Sequence, residues 1–295
     1  MSIFPFPRTS RVAAVLLALT GPQSLAFAQA DSRAPQSATT SATTPAPAFP
    51  AHTYADLADL ADAAPLVIRV SPRKIARLEV ARAPGLKPGR ARLYIEAKTE
   101  ALVAGQASLG AVLRYLVDVP LDAKGKVPAL KKKSVVLFAR LGRPGELQLV
   151  LPDAQLIWDP VLDVRLRAIL AELLTPGRPP RIKGVREAIH VGGNLAGEGE
   201  TQLFLATAND EPAAITINRS PDQPPRWSVS FSEVLEQSGQ APPRDTLAWY
   251  RLACFLAPEL SGATTVSGSA ADRAMAADDY RYVLGQLGPC PRTRR

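Results

Sequence analysis

The sequence predicts an α+β fold: two β-rich halves, the first a small antiparallel barrel or sandwich, with helices packed at their edges and a C-terminal helical pair. Three observations carry that expectation. Between residues 66 and 151 apolar residues recur with a period of two, as on strands with one buried and one wet face. At 158–177 and again toward the C-terminus the period lengthens to that of a helix. Proline and glycine, 28 and 19 of 295 residues, cut the chain into many short elements.

The first residues read as an address. Arg8 and Arg11 precede an apolar run over 12–19, Gly21 and Pro22 break it, and Ala28-Gln29-Ala30 puts small residues where a signal peptidase cuts. A signal peptide over 1–30, cleaved after Ala30, is expected, and with it a periplasmic or secreted protein. The run is far shorter than the roughly 18 to 20 residues that span a bilayer, and no later stretch approaches that length, so no transmembrane segment is expected after cleavage. Residues 31–52 are rich in Ala, Ser, Thr and Pro with little to bury, which predicts a flexible tether.

The first half is expected over 53–157. Thr53 and Asp56 form a capping-box pair, and Leu57, Leu60, Ala61 and Ala64 follow at helical spacing, so a short helix should stop before Pro65. Residues 66–70, 135–139 and 147–151 are apolar runs of strand length, with 78–81 a weaker candidate. Leu93, Ile95 and Ala97 alternate with Arg92, Tyr94, Glu96 and Lys98; Leu113, Tyr115, Val117 and Val119 alternate with Arg114 and Asp118. Five or six such strands suit a small barrel or sandwich. An oligonucleotide-fold-like barrel is one arrangement of that strand count, which by itself carries no function.

A connecting helix is expected at 158–177, with Asp159 as N-cap and Pro160 at its first position. Its stripe of Leu162, Leu166, Ile169, Leu170 and Leu173 should pack across the open side of the first sheet. The second half, 178–295, offers strands at 182–191, 201–206, 214–219 and 226–231, with a hairpin turn at 209–212. Asp245 can cap a helix through Phe255, and Ala276, Tyr280, Val283, Leu284 and Leu287 mark another ending at Gly288-Pro289. Cys254 and Cys290 are the two cysteines. In an oxidising compartment they should pair, closing a loop worth roughly 3 to 4 kcal/mol of chain entropy.

Three stretches, YADLADLADAAPLVIRV at 54–70, RYLVDVPLDAKGKVPALKKKSVVLFAR at 114–140 and RDTLAWYRLACFLAP at 244–258, resemble a group of uncharacterised exported proteins of Gram-negative, sphingomonad-like bacteria. The resemblance covers most of the mature chain. It implies an envelope location and brings no activity, cofactor or catalytic residue.

Composition is that of an ordinary globular protein, and loss of the leader's two arginines takes the net charge from +8 to +6. A mildly basic exported surface suits anionic envelope polymers or headgroups; export makes nucleic acid an unexpected partner. Ser71-Pro72-Arg73-Lys74 matches S-x-x-K, but Pro72 and its strand-like flanks oppose the helix which that chemistry needs. His52 and His190 are the only histidines, one at the tether and one on a strand at the surface or half buried, and no G-x-S-x-G elbow exists. Glu198 and Glu200 in a glycine-rich connector could offer two carboxylates, but no metal-ligand set and no cofactor motif is present. No cofactor or metal is expected.

One charge cluster remains. Lys124, Lys126, Lys131, Lys132 and Lys133, with Arg140 at the end of the next strand, form a basic connector that would need hydration or an anion. The expected function is therefore non-enzymatic: an envelope-associated interaction or binding protein, with an envelope protein or anionic polymer as partner. The competing expectation is a periplasmic hydrolase of an envelope polymer, using carboxylates or an unrecognised serine. A concave pocket with convergent titratable groups would favour the enzyme.

Overall fold

The capping box at Thr53 forms in the computed structural model, which describes residues 52–232, 241–261 and 268–294; the leader, and the tether as far as Ala51, lie outside the described residues. Thr53 Oγ1 accepts the Asp56 amide at 3.1 Å and Asp56 Oδ2 accepts the Thr53 amide at 3.0 Å, opening α1 (Tyr54–Ala63). Leu57, Leu60 and Ala61 are buried, as their spacing predicts.

Six strands follow: β1 (Leu66–Arg77), β2 (Arg90–Ala104), β3 (Val112–Pro120), β4 (Val135–Leu141), β5 (Glu146–Leu149) and β6 (Gln155–Ile157). They pair in the order β1-β2-β3-β5-β4, and β1 pairs again with β4, so five strands close into a barrel while β6 extends β4 beyond β5. Every pairing is antiparallel except β3 with β5. This is a five-stranded Greek-key barrel. Residues 121–134, between β3 and β4, are irregular, with turns at 123–124 and 131–132.

Closure requires β1 to bend. Residues 66–70 bond to β4 while the strand runs on along β2, and the register jumps between Pro72 and Lys74, leaving Arg73 bulged. A proline, which has no N–H to give a ladder, is tolerated at such a bulge. S-x-x-K therefore lies on a strand. Beside the start of β1, Gly105 adopts φ 102°, and a Cβ there would meet the Pro65 carbonyl oxygen at 2.3 Å, so only glycine fits this close approach. The weaker strand candidate at 78–81 is not formed. Val80–Arg82 is a 3-10 turn, and Val80 is exposed, so its apolar side chain gains no burial to reward an extended strand.

Asp159 caps α2 (Pro160–Leu174) as expected, through bonds from the amides of Val161 and Leu162. Because the barrel is closed there is no open sheet side for this helix to cover. It packs on α1 and on α3 (Leu247–Ala253) instead. The second half is an antiparallel sheet, ordered β10-β9-β8-β7, of β7 (Ile182–Gly192), β8 (Gly199–Thr207), β9 (Ala214–Arg219) and β10 (Arg226–Ser230). Helix α4 (Ala270–Leu287) lies against β7 and β8 and ends at Gly288, φ 67°. α3 is capped by Thr246, not Asp245: Thr246 has the extended backbone a cap needs, while Asp245 sits at φ 59°. Cys254 and Cys290 form a disulfide with Cα atoms 5.2 Å apart, just beyond the ends of α3 and α4.

The polar side of α1 ties these parts together. Asp56, Asp59 and Asp62 recur every third residue and so share one face. Asp56 accepts the amides of Thr293 and Arg294 and the Thr293 hydroxyl. Asp59 accepts the Tyr250 hydroxyl at 2.6 Å and pairs with Arg292 at 2.7 Å. Asp62 takes both terminal nitrogens of the buried Arg251, at 2.8 and 2.9 Å, and Arg181 at 2.6 Å. Burial alone would raise the Asp62 carboxyl, but the bonds from Arg251 and Arg181 prevail and hold it below the usual carboxylate range.

Replacing Asp62 by Ala strands the Arg251 charge and is expected to cost about 3 to 5 kcal/mol of stability, measured by chemical denaturation. In the wild type the Asp62 contribution is complete above the unfolded-state value of about pH 4 and is lost as pH falls through the lower folded-state value. An Asp62→Asn variant should thus show a shallower acid limb when unfolding is followed by circular dichroism.

Candidate binding groove

The outward face of the barrel carries a groove of about 910 Å³, bounded by the 78–82 turn, the outer faces of β2, β3 and β5, and the 150–152 turn. Its floor follows from strand alternation. Arg92, Tyr94 and Glu96 on β2 stand opposite Asp118, Leu116 and Arg114 on β3, in register. Tyr94 and Leu116 are 40 % and 45 % exposed, an apolar patch left to solvent in the middle of a charged face.

Charge is distributed unevenly around that patch. Arg92 donates to both oxygens of Asp118, at 2.7 and 2.8 Å, and to the Pro84 carbonyl at 3.0 Å, which fixes the β1–β2 connection against the barrel. The Asp118 bond raises Arg92 above the ordinary arginine value, against a smaller opposing effect of burial. Arg77, Arg82 and Arg114 also line the groove, and none of them pairs with a described carboxylate. Arg140 reaches it from β4, where its Nε donates to Gln148 Oε1 at 3.2 Å. Beneath the floor Tyr115 is buried, its hydroxyl donates to Gln155 at 2.7 Å, and desolvation pushes that hydroxyl well above the ordinary tyrosine value.

One wall is pinned from a distance. The Pro152 carbonyl accepts the Asp118 amide at 2.7 Å, and Asp153 Oδ2 accepts Arg90 at 3.0 Å. Arg294, in the tail held by Asp56, donates to the Asp153 carbonyl and to its Oδ1, at 2.8 and 2.9 Å.

The structure divides the basic connector. Lys124 and Lys126 ride a turn in which Asp122 Oδ1 accepts both their amides at 2.8 Å. Lys131, Lys132 and Lys133 are exposed just before β4. Arg140 lies near the other end of β4, about 17 Å from its start at the rise of a strand, and it alone of the six lines the groove. Arg77, Arg82 and Arg114 were not singled out by the charge run. Their signal was the outward alternation of the strands and an arginine-rich turn.

The other candidates resolve into supporting roles. His190 is buried under α4, deeper than expected; its Nδ1 lies 2.8 Å from the Thr201 hydroxyl, which donates to Asp279, and Arg219 closes the network on Asp279 at 2.6 Å. The Thr201 proton is committed to a carboxylate and its side chain is sealed from solvent, so this set offers no accessible nucleophile. Glu198 accepts the amides of Asn194 and Leu195 within its own turn, and Glu200 accepts Gln202. Among the described residues no group of three or more His, Cys, Asp or Glu side chains could hold a metal ion, and no helix is long and apolar enough to cross a membrane. No protein-family model matches the chain, and no curated protein matches it either.

An Arg294→Ala substitution should release the groove wall: amides of residues 150–154 are expected to exchange hydrogen faster, with a global stability loss on the order of 1 kcal/mol for this partly exposed pair. Unchanged exchange would show that Arg90 and the Pro152 bond hold the turn alone.

Proposed function

We propose that this chain is an exported, non-catalytic binding protein whose barrel groove holds an extended, negatively charged polymer of the cell envelope. The observation that carries this reading is the set Arg77, Arg82 and Arg114, unmatched by described carboxylates, around the exposed Tyr94–Leu116 floor. Arginine that finds no carboxylate in its own chain can form bidentate bonds to an incoming anion. The signal-peptide pattern and the disulfide support an oxidising destination, as does the resemblance to exported proteins.

A hydrolase finds less support in the same groove. Asp118 is engaged by Arg92 at both oxygens. Glu79 follows Leu78, whose amide bonds the Arg92 carbonyl, while Glu146 stands beside Arg114. Those two ends of the floor are four residues apart along β3, about 13 Å.

The test is titration with dextran sulfate, a generic polyanion, followed by tryptophan fluorescence or calorimetry. Binding is expected to weaken with added salt and to fall by roughly threefold to a hundredfold in the triple variant Arg77→Ala, Arg82→Ala, Arg114→Ala, since three exposed charge contacts are each worth about 0.2 to 1 kcal/mol. A variant with Lys131, Lys132 and Lys133 changed to Ala should keep its affinity. The reverse pattern would move the site to the connector, and no binding would remove the reading.

A further inference from the structure

We infer that the groove selects a carboxylate-bearing oligosaccharide, seating one sugar ring on Tyr94 and Leu116 and its carboxylate between Arg114 and Arg140. This rests on the polymer-binding reading and gives it a ligand class.

The register of the barrel sets out the subsites. Ala76, Tyr94 and Leu116 form one row across β1, β2 and β3, an apolar strip about one ring wide that suits the C–H face of a pyranose. In the adjacent row Lys74 is paired with Glu96 at 2.9 Å, which leaves Arg114 beside Glu146. Arg140 stands on the opposite flank of β5, where its bond to Gln148 orients the guanidinium and leaves its terminal amino groups for a ligand. Two guanidinium groups flanking one strand can share a carboxylate in fork geometry.

The acceptors decide between polymer classes. Glu79 and Glu146 line the groove with the arginines. Sugar hydroxyls both donate and accept, so they can use carboxylates and guanidinium groups together. A phosphodiester backbone without free hydroxyls offers these carboxylates no donor, whereas an acidic sugar brings donor hydroxyls beside its own carboxylate. Among the described residues Tyr94 is the one exposed aromatic lining the groove, whereas single-stranded nucleic acid is held by stacking on successive aromatics.

Calorimetry with trigalacturonate, its methyl ester, maltotriose and oligothymidylate tests the assignment. Trigalacturonate should bind about tenfold or more tighter than its ester or maltotriose, and Tyr94→Ala should weaken it by about tenfold, as removal of a central aromatic does. Arg114→Ala should erase the preference for acid over ester. Equal affinity for acid and ester, or tighter binding of oligothymidylate, would overturn the class. If dextran sulfate binds in the groove and trigalacturonate does not, the class fails while the polymer reading stands; if neither binds, both fall.

Discussion

Three aspartates on the first helix hold the two halves of the chain together, and much of the rest follows from them. Asp56, Asp59 and Asp62 reach partners 189 to 238 residues away in sequence, on α3 and in the C-terminal tail. On its other side α1 sends Leu57, Leu60 and Ala61 into the core. The helix is therefore covered on both sides, by apolar packing on one and by ion pairs and hydrogen bonds to α3 and the C-terminal tail on the other. Such pairs contribute less through net energy than through register, because each carboxylate is satisfied only when its own partner arrives. The disulfide complements them: by joining Cys254 to Cys290 it brings the tail back beside α3, where Arg292, Thr293 and Arg294 find Asp59, Asp56 and Asp153.

Barrel closure then determines what faces solvent. A closed five-stranded ring has one inside, filled by Leu93, Ile95, Val117, Val135 and Leu137, and every second residue must point out. The outward residues of β2, β3 and β5 form a continuous surface because β3 and β5 are parallel neighbours despite being separated by β4 in sequence. The 78–82 turn and the 150–152 turn raise walls on that surface. Arg92 pins the first through Pro84, and Arg90 and Arg294 pin the second through Asp153. The groove thus depends on both halves, since one of its walls is fastened by Arg294 of the C-terminal tail.

Much of this was legible. Period-two alternation placed Arg92, Tyr94, Glu96 and Arg114 on wet faces, capping chemistry located α1 and α2, and the export pattern predicted the pairing of Cys254 with Cys290; Asp118 points outward as the alternation predicts but is buried under Arg92. What was not legible depends on neighbours distant in sequence. A run such as Lys131-Lys132-Lys133 is visible because it is contiguous, whereas Arg77, Arg82, Arg114 and Arg140 come from four segments and meet only through strand order. The polar side of α1 was not singled out, because helical periodicity distinguishes apolar from polar and cannot say which polar residues will be covered. The same limit hid His190, whose polar partners Thr201 and Asp279 give it a satisfied place beneath α4. Residues 78–81 failed as a strand for the opposite reason: alternation was present but nothing covered Val80.

The shape of the groove bears on the kind of ligand it can serve. Small metabolites are usually held in enclosed pockets that bury most of their surface and supply a few fixed polar groups. Here the floor is open, and its arginines other than Arg92 stay exposed and hydrated, so each contact with an anion is worth only about 0.2 to 1 kcal/mol. A single short ligand would bind modestly and leave quickly. A polymer changes that balance, because the next repeat is already at high local concentration when one repeat dissociates, and residence grows without any new contact. An open, weakly gripping, mixed-charge groove on a barrel whose walls are fixed by ion pairs is better matched to a chain of repeating acidic units than to a solitary small molecule.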